Sequence, residues 1–161
     1  MRNKTTWMIG ALIAVAYPAI AHAMQNEPAD FQGIQWGASL EDYRSTLRPI
    51  NETGDSGHFR RQSDRPFFAG TEVRRISYHF YKGRFVSGSY LSVGTTDLKR
   101  ILAHLTERHG EPQKANNRHK IYEWEGEQRG VIVSCDISIS CFTEFYDKEL
   151  RNQANAEKLA P

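Results

Sequence analysis

Residues 73–93 constrain this chain more than any other stretch. They read Val-Arg-Arg-Ile-Ser-Tyr-His-Phe-Tyr, then Lys82-Gly83, then Arg-Phe-Val-Ser-Gly-Ser-Tyr-Leu-Ser-Val. Two runs rich in aromatic and β-branched residues, separated by a two-residue turn containing Gly, specify a β-hairpin. With Tyr81 and Arg84 flanking the turn, Phe80 faces Phe85. Strict alternation then places Ile76, Tyr78, Phe80, Phe85, Leu91 and Val93 on one side. The other side carries Arg75, Ser77, His79, Tyr81, Arg84 and Tyr90. One face needs an apolar cover and the other can meet water, so the expected fold is α+β, an antiparallel sheet with helices on one face.

The elements on either side support that expectation. Residues 24–30 are polar and read as a frayed lead-in, followed by the anchors Phe31, Ile34 and Trp36. Ser39 as an N-cap and Leu40, Tyr43 and Leu47 at helical spacing predict a first helix over residues 40–48, ended by Pro49. Residues 50–57 read as a turn-rich loop and residues 58–62 as a strand. Leu98, Ile101, Leu102 and Leu105 form the i, i+3, i+4, i+7 stripe of a second helix, begun at 95–97 and stopped by Gly110 and Pro112. Residues 114–120 are a basic connector, and three strands follow at 121–125, 131–136 and 141–146. Helix plus three strands therefore occurs twice, with Leu40, Tyr43 and Leu47 aligned on Leu98, Ile101 and Leu105. This order predicts two tandem units inside a single domain over residues 31–147, with a weakly helical tail at 148–161.

The chain opens with Arg2 and Lys4, an uncharged run over 7–16, Pro18, and Ala21-His22-Ala23 as a small-x-small cleavage site. Residues 1–23 thus read as a secretory signal peptide, since the apolar run is well short of the roughly 20 residues that span a bilayer. Cleavage would leave no membrane anchor and a periplasmic or secreted protein. It would remove two of the 21 basic residues and none of the 19 acidic ones. The remainder is formally neutral, so composition gives no support for binding nucleic acid. An oxidising compartment suits the two cysteines, Cys135 and Cys141. Their spacing fits a disulfide closing the last hairpin; neither Cys-x-x-Cys nor a zinc ligand spacing is present.

Several phrases are familiar as an ordered set: Phe31-x-Gly33-x-x-Trp36-Gly37-x-Ser39; Ile76-x-Tyr78-x-Phe80-Tyr81-x-Gly83-x-Phe85; Gly110-x-Pro112; and Tyr122-x-Trp124-x-Gly126. Together they resemble a group of small exported bacterial proteins with no assigned activity. The duplicated plan is also similar to β-lactamase inhibitor proteins and to small lipoproteins of outer-membrane assembly, an analogy of fold.

Chemistry is harder to find. No two histidines have a ligand spacing, His104 and His109 standing five apart on the second helix, about 140° round its axis from one another, so no metal or cofactor is expected. Ser89 lacks the second glycine of a nucleophile elbow and would alternate onto the apolar face. Glu123 and Glu125, roughly 7 Å apart on one strand, have the separation of a glycosidase pair, yet any half-exposed strand shows the same alternation. No catalytic residue is assigned. The candidate binding residues are instead Arg60, Arg61, Arg65 and Arg75 around Phe67 and Phe68, with Tyr81 on the polar sheet face, because arginines among aromatics compose interface centres. An envelope protein is the expected partner, the protein serving as an inhibitor, immunity or assembly accessory. A small envelope hydrolase and a self-associating structural protein are the alternatives.

The disulfide has a direct check. Denatured without reductant, the exported protein should show no thiol that reacts with a maleimide; two labelled thiols would remove the bond, and a dimer lost on reduction would place it between chains.

Overall fold

The structure is a computed structural model that describes residues 23–158, so the expected signal peptide lies outside the described residues apart from Ala23. The chain begins with a two-strand hairpin, β1 (Asp30–Phe31) and β2 (Ile34–Gln35). A single 3-10 turn, Glu41–Tyr43, leads into β3 (Leu47–Thr53) and β4 (Ser56–Arg61). A second small hairpin, β5 (Phe67–Phe68) with β6 (Thr71–Glu72), precedes the long pair β7 (Arg75–Tyr81) and β8 (Arg84–Val93). Helix α1 (Thr95–His109) then carries the chain to β9 (Lys114–Asn116), β10 (Ile121–Glu125), β11 (Arg129–Cys135) and β12 (Ser140–Asp147), and α2 (Lys148–Lys158) closes it.

Eight of these strands form one antiparallel sheet in the order β3-β4-β7-β8-β12-β11-β10-β9. It consists of two four-stranded meanders joined last strand to last strand, β8 against β12. The tandem plan read from the sequence therefore carries four strands per unit, and its helices are unequal. The helix expected over residues 40–48 is reduced to one 3-10 turn. Leu40 and Leu47 are buried as the spacing required, but backbone bonds from Leu40 N to Gly83 O and from Phe85 N to Ala38 O tie the segment to the β7–β8 turn. Nine residues are too few to hold a helix against such competition. The loop expected at 50–57 is the β3–β4 hairpin, turning at Gly54. Pro49 is tolerated because β3 is an edge strand, where a missing donor costs no ladder bond.

The central hairpin turns at Lys82-Gly83 with both residues at positive φ, 48° and 73°, the geometry of a type I′ turn. Phe80 pairs with Phe85 and Tyr81 with Arg84, but His79 pairs with Ser87, leaving Val86 as an extra residue. This bulge reverses the alternation along the rest of β8. Tyr90 accordingly joins Ile76, Tyr78, Phe80 and Phe85 in the core, while Leu91 and Val93, expected there, are only half-buried.

Helix α1 covers the core face, burying Leu98, Ile101 and Leu105 over the sheet. Phe31 fills the centre, its ring centroid 5.0 Å from Tyr90, 5.6 Å from Tyr78 and 5.8 Å from Phe145. It lies flush on Gly88 of β8, where a Cβ would stand 2.0 Å from its Cδ1. Residues 24–30, expected to fray, are docked. Met24 is buried and donates its N–H to Glu125 O, Gln25 N–H reaches His109 O, and Glu27 accepts the backbone N–H groups of Glu127, Gln128 and Arg129. Over its described residues the tail is the docked helix α2 on the sheet's other side: Ala154 is buried, and Arg151 pairs with Glu144 at 3.1 Å and lies over the Tyr146 ring. Glu144 and Tyr146 alternate with Thr143 and Phe145, so α2 and α1 take opposite faces.

Truncation at the centre of α1 should be costly. Leu105→Ala is expected to lose about 2 to 5 kcal/mol and exposed Arg100→Ala under about 0.5 kcal/mol in urea unfolding. Gly88→Ala should resemble the first, because the methyl group must displace Phe31.

Candidate binding surface

The face opposite α1 is only partly covered. Beyond α2 it leaves a shallow depression of about 430 Å³ in which Arg75, Ser77, His79, Ser89 and Phe142 meet His58. The bulge at Val86 is what brings Ser89 here, against the expectation that it would point into the core. His58 and His79 stand opposite each other in register and stack with centroids 4.6 Å apart. Single-sequence spacing could not pair them, since they belong to strands joined by a long excursion. Ile50 and Phe142 are large apolar side chains left 44% and 42% exposed on this surface.

Next to the depression, and sharing Ile50 and Arg75 with it, lies a hollow of about 350 Å³ at one end of the sheet. Arg60 and Arg61 come from the end of β4, Arg75 from the start of β7 and Arg74 from the residue before it. The hollow contains one carboxylate, Asp64, and it is already engaged: it accepts the Tyr78 hydroxyl at 2.8 Å and pairs with Arg61 at 3.7 Å. Burial and the bond to Asp64 hold the Tyr78 phenol well above its ordinary range. Arg61 is spent on this network, since it also donates to Gln32 O and lies over the Tyr78 ring. Arg60, Arg74 and Arg75 are exposed and have no carboxylate partner among the described residues.

The sequence candidates divide. Arg60, Arg61 and Arg75 converge on the hollow, joined by Arg74; Arg65 is exposed on the adjoining loop. Phe67 is 58% exposed beside it. Phe68 points the other way and stacks on Tyr90 with centroids 4.1 Å apart, packing against the core. Tyr81 is at the far end of the sheet, where its hydroxyl donates to Glu157 Oε2 at 2.6 Å. Cys135 and Cys141 face each other in the β11–β12 register and are bonded. Their loop holds Ile137 fully exposed at its tip, while Asp136 accepts the Ser138 hydroxyl and the Ser140 N–H, bonds that lower its pKa.

Of the residues weighed for catalysis, Glu123 and Glu125 are engaged in an ion pair. Lys114 Nζ lies 2.8 Å from Glu123 and 3.1 Å from Glu125, holding both carboxylates in one ion-pair cluster, and its own pKa is raised by them. Among the described residues no three His, Cys, Asp or Glu side chains gather as a metal site. No family model, curated protein or solved structure matches this chain.

The two neighbouring rings give a clean contrast. Phe67→Ala should change stability by no more than about 0.5 kcal/mol, and Phe68→Ala should cost about 2 to 4 kcal/mol, read from the urea midpoints.

Proposed function

We propose that this protein is an exported binding module that grips an acidic segment of another envelope protein with its arginine hollow and the adjoining open sheet face. The observation that carries the reading is the charge state of the hollow: four arginines converge where the single carboxylate is already used. Arg60, Arg74 and Arg75 line one hollow with no carboxylate partner among the described residues, an excess of positive charge that favours an anionic partner. Arginine favours carboxylates because two of its N–H groups bond both oxygens at once. Phe67, Phe142 and Ile50 supply exposed apolar area around the same surface, the mixture on which protein contacts are centred.

Export is part of the proposal. The leader read at residues 1–23 and the cysteine pair support it, and no helix among the described residues is long and apolar enough to cross a membrane. An inhibitor, immunity or assembly role fits a rigid sheet presenting a preformed charged surface, which binds without the cost of ordering loops.

Arg74→Glu with Arg75→Glu tests the proposal, since both side chains are exposed and the fold does not depend on them. The double variant should melt within about 3 °C of the parent. It should lose the envelope protein that the parent retains on a column, and raising salt from about 0.05 to 0.5 M should weaken the parent's capture in the same way. Capture indifferent to both charge reversal and salt would place the contact elsewhere.

A further inference from the structure

The loop closed by the Cys135–Cys141 bond has no part in the arginine hollow, yet it is built to hold one side chain outward. Asp136 organises it: its N–H donates to Ser140 O at 3.0 Å, its carbonyl accepts the Ile139 N–H at 3.1 Å, and its carboxylate takes the Ser138 hydroxyl and the Ser140 N–H. Two further backbone bonds, Gly94 N–H to Ile139 O and Cys135 N–H to Lys120 O, fix the loop to the start of α1 and to the turn before β10. Ile139 lies at φ 62°, a conformation that β-branched residues avoid. The two isoleucines diverge there: Ile139 packs against the core, while Ile137 is fully exposed. Beside Ile137 is a hollow of about 420 Å³ lined by Arg118, His119 and Lys120. Neither Arg118 nor Lys120 forms an ion pair among the described residues, and the carboxylate in that hollow, Asp136, is taken up within the loop.

The loop stands at the same end of the sheet as the arginine hollow. Strand register runs from Arg75 through Leu91, Phe142 and Ser134 to Ile121, one residue from each of five neighbouring strands. One residue further out along their strands stand Arg74, Cys141 and Cys135. β4, whose end supplies Arg60, and β11, which ends at Cys135, are four positions apart in the sheet, a span of about 19 Å. Phe67, Phe142 and Ile137 are large exposed apolar side chains along this end, and Ile50 borders the hollow. A protein contact of ordinary size takes about 800 Å² from each partner, a patch roughly 28 Å on a side. The hollow alone falls short of that span; the strip from hollow to loop approaches it.

We infer that the disulfide-closed loop is a second contact of the interface proposed above, Ile137 entering an apolar pocket of the protein partner and Arg118 and Lys120 meeting carboxylates on that pocket's rim. The inference rests on the binding reading for the existence of that partner; it adds how far the partner reaches and what it presents. A loop closed by a disulfide and by its own hydrogen bonds has little freedom left to lose on binding. Burying its one isoleucine therefore strengthens binding by about tenfold or more. A lipid surface is the poorer occupant, because a single apolar side chain with two cations holds a bilayer only marginally.

Photo-crosslinking in the host cell, with the full exported chain, tests the inference. A benzophenone amino acid takes the place of Ile137 in one protein, of Phe67 in a second and of Arg100, exposed on α1, in a third. Positions 137 and 67 should give an adduct with one and the same protein, identified by mass spectrometry, and position 100 should not. With that protein purified as the probe, Ile137→Asp should weaken binding at least about tenfold at an unchanged melting temperature, because the side chain is fully exposed. Arg118→Glu with Lys120→Glu should weaken it about as much, and less so as salt rises. An adduct at position 67 with none at 137, with lipid alone at 137, or with a different protein there would overturn the inference and leave the arginine hollow standing. Full affinity in Ile137→Asp would do the same. Absence of adducts at both positions would overturn the binding reading along with it, and an adduct at 137 without one at 67 would refute the shared interface and the hollow's part in it.

Discussion

Phe31 resting on Gly88 is the contact on which the rest of the molecule depends. The sheet is two meanders that touch only where β8 meets β12, and that seam has no covalent connection shorter than α1 and three strands. Phe31 lies over the seam, against Tyr78 and Tyr90 of one half and Phe145 of the other. It can approach so closely because Gly88 has no side chain. A ring of that size buried between two halves contributes on the order of 2 to 3 kcal/mol by area alone, and it also fixes where the N-terminal segment must run. That path in turn closes one side of a cavity over Phe68, Tyr90 and Phe145 and brings Glu27 to the β10–β11 turn.

Charge is arranged along the strands rather than between faces. At the end of the sheet where β4 stops and β7 begins, arginines gather around Asp64. At the other end Arg44 is shared by Glu41, Glu52 and Asp55, and Glu157 pairs with Lys82. A chain that is nearly neutral in sum is thus polarised in space, and orientation on approach to a charged partner follows from that polarity. The α2 helix belongs to the acidic end, where the Tyr81 and Lys82 bonds to Glu157 hold it and lower the Glu157 pKa.

The strands around the turn at Lys82-Gly83, the α1 stripe and the cysteine pair were legible in sequence because each depends on residues near one another along the chain. What could not be read was decided by distant partners. Alternation along β8 fails at Val86 because a bulge inserts one residue, and nothing local announces it; Tyr90 and Leu91 exchange sides as a result. The spacing of Leu40, Tyr43 and Leu47 marks two buried leucines and a half-buried tyrosine packed against the core, yet bonds to Gly83 and Phe85 replace the helix. Residues 24–30 look polar and loose because their acceptors and donors lie about a hundred positions away. At the arginine hollow, Arg60, Arg61 and Arg75 are recognisable from composition, but Tyr81 joins them by face alone and lies at the far end of the sheet, and Phe68 packs on Tyr90 against the core.

The docked N-terminal segment also bears on how the chain is made. Met24, Gln25, Asn26 and Glu27 are secured by groups 82 to 102 residues further along, from Arg108 to Arg129. Contacts of such long separation form late, because loop closure must be paid before they return anything. In a chain delivered head first, the earliest of these residues to emerge would be among the last to find their places. Until β10 and β11 have been made and paired, residues 24–27 have nothing to hold, and that stretch is open to any protease that meets the unfinished chain.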